Sequence, residues 1–128
     1  MKDSTLIQTA LMPNAANTVN TNTIALPQSA KRPFTSSFRV RLYNTQATGA
    51  NTKNINYTLY ASNEANGASA TAVQGAFVVA GNAANHPASN REVYLPPNLD
   101  RSYIFLSAVG EANGGNAADG TFGIEIIM

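Results

Sequence analysis

A chain of 128 residues with a formal net charge of +1 and no cysteine fits one domain, and excludes disulfide staples, thiolate metal sites and a cysteine nucleophile. Only 12% of its residues are charged, about half the share usual in soluble domains, and the scattered cations set up no long-range field for nucleic acid. Uncharged Asn, Thr, Ser and Gln must cover the surface, and such a surface resists association less than a charged one does.

Residues 4–12 read as the first strand, stopped by Pro13. Its apolar part, broken by Gln8 and Thr9, is too short and polar for a signal peptide, and no stretch has the length of a membrane span. The expectation is one domain over 1–128, in which residues 1–17 serve as an N-terminal arm or edge strand, made in the cytoplasm and with no membrane partner. Residues 18–26 read as a second strand rich in β-branched residues, with Val19, Thr21, Thr23 and Ala25 on one face and Asn20, Asn22, Ile24 and Leu26 on the other. After a loop bracketed by Pro27 and Pro33, residues 37–43 alternate most clearly. Phe38, Val40 and Leu42 face one way and Arg39, Arg41 and Tyr43 the other, which gives this strand a wet or partner-facing side.

A polar loop over 44–54 precedes a fourth strand in which Ile55, Tyr57 and Leu59 alternate with Asn56, Thr58 and Tyr60. The small-residue loop over 62–71 contains Asn66-Gly67, a tight-turn dipeptide. Residues 72–80 make a fifth strand, with Val73, Gly75, Phe77 and Val79 against Gln74, Ala76 and Val78. The loop over 81–90 holds the only histidine, His86, before Pro87, and residues 91–95 form a short sixth strand ended by Pro96-Pro97. In residues 101–109, Ile104, Leu106 and Ala108 oppose Tyr103, Phe105 and Ser107. A Gly/Asn/Ala loop over 110–120 then leads to a last strand with Phe122, Ile124, Ile126 and Met128 on one face and Gly123, Glu125 and Ile127 on the other. These two strands are expected to form the closing hairpin of one sheet, with the apolar Ile126-Ile127-Met128 tucked into a core or a partner.

About eight strands without a helix imply an all-β, antiparallel β-sandwich, because each strand has one apolar face that only a second sheet can cover. A jelly roll is the first expectation. The alternative, an immunoglobulin-like sandwich, lacks its Cys and Trp signature here. The long Gly/Asn loops should gather at the ends of the sandwich, and contacts with neighbours are expected to order some of them.

Candidates for chemistry are few. A Ser-His-acid triad would have to use His86, which lies in a loop with no acid nearby in sequence and reads more simply as an exposed histidine. Glu111 and Asp119 share a loop but lack the regular oxygen spacing of a calcium loop. Gly110, Gly114, Gly115 and Gly120 are followed by no helix or lysine that would cradle phosphate. No catalytic, cofactor-binding or metal-binding residue is therefore assigned, and the chain is expected not to be an enzyme. Arg39, Arg41 and Tyr43, with Tyr57 or Tyr60 from a neighbouring strand, imitate a cation-plus-aromatic platform. The low charge argues against nucleic acid, which leaves a solvated sheet face or a protein interface.

Tyr94-Leu95, a turn, the aromatic-aliphatic strand, the Gly/Ala/Asn loop and the closing Gly120-Thr121-Phe122-Gly123-Ile124 resemble the small capsid cement (decoration) proteins of tailed bacteriophages. About a quarter of the chain carries this likeness, and the rest is similar in composition, residues 18–26 especially. The resemblance implies a jelly-roll virion protein on the outer surface of the head that assembles commonly as a trimer, binds the major capsid protein and clamps neighbouring capsomers through multivalent contacts. On that reading, trimer contacts are expected at Phe105 and at the terminal Ile126, Ile127 and Met128, and shell contacts at the N-terminal segment and at Arg39, Arg41 and Tyr43. The alternative is a carbohydrate-binding or adhesin-like β-sandwich module.

Overall fold

The structure, a computed structural model, describes residues 7–13, 17–25, 39–46, 54–80, 88–94, 103–110 and 120–127, with the main chain alone for 74–80. In chain order the strands are β1 (Ile7–Leu11), β2 (Thr18–Asn20), β3 (Ile24–Ala25), β4 (Arg39–Asn44), β5 (Asn54–Ser62), β6 (Thr71–Ala80), β7 (Ser89–Tyr94), β8 (Tyr103–Gly110) and β9 (Thr121–Ile127). No described residue is helical.

Every pairing is antiparallel. One sheet runs β1-β9-β4-β7 and the other β2-β8-β5-β6, with β3 also on β8. When β2 and β3 are taken as one broken strand, the eight strands form a folded ribbon: β1 lies on β9, β2 and β3 on β8, β4 on β7, and β5 on β6. Rolling that ribbon places alternate pairs in opposite sheets, which is the jelly-roll arrangement.

Period-two alternation supplies the core. From one sheet come Val40 and Leu42 of β4 and Phe122, Ile124 and Ile126 of β9; from the other come Ile55, Tyr57, Leu59 and Ala61 of β5 and Ile104, Leu106 and Ala108 of β8. Tyr57 and Phe122 meet across the sandwich with ring centroids 5.4 Å apart at 58°, a tilted contact that aromatic quadrupoles favour. Polar groups at the core margin are satisfied: Asn44 Nδ2 donates to Thr45 O at 3.0 Å, and Ser89 Oγ donates to Asn44 Oδ1.

Two expectations are corrected. The strands of 101–128 do not form a hairpin: β8 is central in one sheet and β9 in the other, so their apolar faces meet across the core instead of lying side by side. Alternation fixes which face of a strand is apolar but not which strand lies beside it. Residues 18–26 are not one strand either. At Thr21 the main-chain N–H donates to Leu106 O at 3.0 Å while its Oγ1 accepts from Leu106 N–H at 3.1 Å, so a side chain takes the place of a ladder carbonyl. The phase of the strand changes there. Val19 and Ile24 both pack on the core although their positions differ in parity. The fifth expected strand is present as β6, and its main-chain pairing is irregular: β5 steps from Tyr57 to Tyr60 while its partners on β6 run from Phe77 to Ala72, an irregularity of the β-bulge kind.

Burial pushes the Tyr57 phenol well above its ordinary value of 10.0. The folded state therefore holds the proton after the unfolded chain has lost it. The associated stability is fully present below about pH 10 and is lost as pH rises beyond that value. Urea midpoints measured between about pH 9 and pH 11 should fall more steeply for the wild type than for Tyr57→Phe; equal slopes would show that this phenol is not what titrates.

Candidate functional site

Two outward surfaces carry side chains suited to recognition. On the sheet β1-β9-β4-β7, the registers align Ile7, Glu125, Arg41 and Glu92 in one row, Thr9, Gly123, Tyr43 and Asn90 in the next, and Ile127, Arg39 and Tyr94 in a third. The first two rows are braced internally. Arg41 lies 3.9 Å from the carboxylate of Glu125, a residue only 5% exposed, and its guanidinium sits 4.4 Å from the centroid of the Tyr43 ring. That ring covers Gly123, where a Cβ would meet Tyr43 Cζ and Oη at 2.7 Å and the Gln8 carbonyl oxygen at 3.0 Å. A strand glycine capped by an aromatic from the next strand keeps the sheet closed where it has no side chain of its own.

The third row is more open. Arg39 pairs with Glu92 at 3.0 Å with both side chains about half exposed, a pair whose contribution to stability is about 0–1 kcal/mol. Tyr94 beside it is 61% exposed. Of the residues expected at an interface, Arg39, Arg41, Tyr43 and Ile127 share this face. Ile126 points the other way into the core, and Phe105, 7% exposed, lies on the opposite sheet. Met128 and the segment before residue 7 lie outside the described residues. The cation-plus-aromatic platform is not assembled, because Tyr57 is in the core and Tyr60 is on the other sheet. Tyr94 was not legible as part of the row, since only the β4–β7 register puts it beside Arg39.

The second surface is the outer face of the sheet β2-β8-β5-β6. There Phe105 and Tyr60 stack at 5.4 Å and 17°. The loop over 63–70 folds onto them, and its own hydrogen bonds hold it. Gly67 N–H donates to Glu64 O at 2.9 Å, Ala68 N–H to Asn66 Oδ1 at 3.0 Å, Glu64 N–H to Ser62 Oγ at 3.0 Å, and Ser62 Oγ to Ala68 O at 2.5 Å. Gly67 has φ +80°, and a Cβ there would lie 3.1 Å from Phe105 Cε1, so both the turn and the close approach require glycine. Thr23 Oγ1 donates to Ala65 O at 2.6 Å and ties the loop to the break between β2 and β3. Between break and loop lies a recess of ≈ 250 Å³ bounded by residues 20–23, residues 65–67 and Phe105. Nothing in the alternation of the sequence marked it, because it depends on the interruption at Thr21.

Among the described residues no three His, Cys, Asp or Glu side chains gather as a metal site would require. His86, Glu111 and Asp119 lie outside the described residues.

No protein-family profile matches the chain, and no curated protein sequence matches it. Among solved structures, the carbohydrate-binding module CBM27-1 of Caldicellulosiruptor saccharolyticus, in complex with mannohexaose, is similar with a TM-score of 0.56 at 9% identity, over 91% of this chain and 69% of that one. The K3 cleaved adhesin domain of Lys-gingipain from Porphyromonas gingivalis gives a TM-score of 0.50 at 20% identity, over 89% of this chain and 63% of that domain. A chain in the structure of infectious bursal disease virus Gx strain gives 0.47 at 15% identity, over 94% of this chain and 30% of that one. The chain thus spans less than two thirds of the adhesin domain. At these identities the first two likenesses are ones of fold, that of the antiparallel β-sandwich.

The fit of Tyr43 over Gly123 can be tested directly. Gly123→Ala should destabilise the protein by about 1–3 kcal/mol in chemical denaturation. In a Tyr43→Ala background the cost should shrink, with a coupling of at least about 0.5 kcal/mol across the cycle. An equal cost in both backgrounds would show that the ring is not what the glycine accommodates.

Proposed function

We propose that this chain is an assembly protein of a virion, a cement protein that binds the outer surface of a phage head and ties neighbouring capsomers together. The observation that carries the reading is the row Ile127, Arg39 and Tyr94, an aliphatic, a guanidinium and an exposed aromatic side by side on an otherwise braced sheet face. Arg and Tyr are the side chains that protein interfaces favour and that dominate their energetics. A surface with only 12% charged residues suits contact with other proteins. The resemblance of the stretch from Tyr94 onward supplies the kind of partner, a major capsid protein.

Self-association has its own support. β6 is a ten-residue strand at the sheet edge, TAVQGAFVVA, with neither charge nor proline to discourage another chain from pairing with it. The resemblance implies three-fold assembly, in which each weak shell contact makes the next effectively intramolecular.

Light scattering over a wide concentration range should give a stable multiple of 13.4 kDa, three-fold on this reading. With heads assembled from tailed-phage major capsid proteins, the wild type should co-sediment. Arg39→Ala/Tyr94→Ala should bind at least roughly 30-fold more weakly, the loss of a single interfacial anchor of about 2 kcal/mol, while keeping its denaturation midpoint within a small margin. A strict monomer would remove the avidity mechanism, and undiminished binding by the double variant would remove this row as the contact.

A further inference from the structure

We propose that the recess between the β2–β3 break and the 63–70 loop is a binding site for a neutral, polyhydroxylated ring, a single pyranose unit of a glycan. It lies on the opposite sheet from the row of Arg39 and Tyr94, and neither site depends on the other.

The chemistry of the walls selects the ligand class. Among the described residues no charged side chain bounds the recess, so none of these wall groups is matched to phosphate, carboxylate or ammonium. Asn20 and Asn22 are exposed at its rim, and each amide both donates and accepts, the combination that adjacent sugar hydroxyls require. Asn66 commits its Oδ1 to Ala68 N–H at 3.0 Å, which leaves its NH₂ to act as a donor. Thr21 is buried and its Oγ1 accepts from Leu106 N–H at 3.1 Å, so its own O–H proton remains available to a ligand oxygen. The remaining exposed part of Phe105 provides an apolar floor for the C–H face of a ring. A few convergent polar groups around an apolar surface are what small-molecule sites are built from.

Size and rigidity agree with that assignment. The ≈ 250 Å³ volume falls just below the about 300–1,000 Å³ of pockets that enclose a drug-sized ligand, which favours one sugar ring over a chain of them. Both walls are set before a ligand arrives: the Thr23 bond to Ala65 O at 2.6 Å joins them, and the 64–67 turn is closed by the Gly67 bond to Glu64 O at 2.9 Å. Little conformational entropy is then left to lose on binding.

The test is an amide NMR titration of the whole chain with methyl α-D-mannopyranoside, methyl β-D-glucopyranoside and N-acetyl-D-glucosamine, each to about 50 mM, with inorganic phosphate as the charged control. At least one sugar should give saturable shifts at residues 20–23, 65–67 and 105, with a Kd in the millimolar range. Asn22→Ala, an exposed substitution, should weaken that binding by about tenfold and leave the remaining spectrum in place. Absence of saturable shifts from all three sugars would overturn the proposal. So would larger shifts from phosphate at the same amides, or binding that neither Asn22→Ala nor Asn66→Ala weakens.

Discussion

The apolar faces of β8 and β9 have to be covered on both sides, and the remaining strands are arranged to do it. Ile104, Leu106 and Ala108 face Phe122, Ile124 and Ile126 within one core. Each of the two strands is flanked on both edges, β8 by β5 and by β2 with β3, β9 by β1 and β4. Even their outward residues are largely buried: Phe105 lies under the 63–70 loop, and Glu125 is held between Ile7 and Arg41. A carboxylate in that position needs its cation, since removing one partner of a buried pair leaves an uncompensated charge. The brace of Arg41, Glu125, Tyr43 and Gly123 thus packs the outward side of β9 where it lies between β1 and β4.

With β8 and β9 committed to the interior, the two outer faces offer the described surfaces, and they differ in chemistry. One carries ion pairs and an exposed aromatic, residues suited to a protein partner. The other has no charged group among the described residues of its recess, where amides, hydroxyls and one ring suit a neutral ligand. A sandwich shared with a carbohydrate-binding module and an adhesin domain fixes neither role, because function belongs to the sites placed on a fold and not to the fold itself.

The faces of the strands were legible from alternation alone. Val40 and Leu42, Ile55 to Leu59, Ile104 to Ala108 and Phe122 to Ile126 each repeat every second residue and each pack inward as that period requires. The sandwich followed, since one-sided strands need a second sheet, while its jelly-roll form, the first expectation, rests on the pairing order that the structure shows. Neighbour relations were not legible. Period two says nothing about whether the strand before a long loop pairs with the one after it, so β8 and β9 read as a hairpin. Phase breaks were hidden as well: the hydroxyl of Thr21 standing in for a main-chain acceptor and the irregular pairing of β6 depend on partners distant in sequence. The candidate sites inherit this limit. Arg39 showed itself as an outward cation, while Tyr94 beside it and the recess beside Thr21 exist only through tertiary pairing.

The ribbon order also governs when the molecule can come together. Of the four strands flanked on both edges, β8 and β9 lie beyond residue 100, and of the described pairings between strands before that point only β4 with β7 and β5 with β6 can form. In chain order the β5–β6 pair is nested inside the β4–β7 pair, and the apolar residues of β4 and β5 share the core. Ile7 pairs with Glu125, more than a hundred residues away in sequence, so this pairing carries a large loop-closure cost. Non-local β topologies of this kind close slowly, and the uncharged edge strand β6 is the part of the sheet open to pairing with another chain meanwhile.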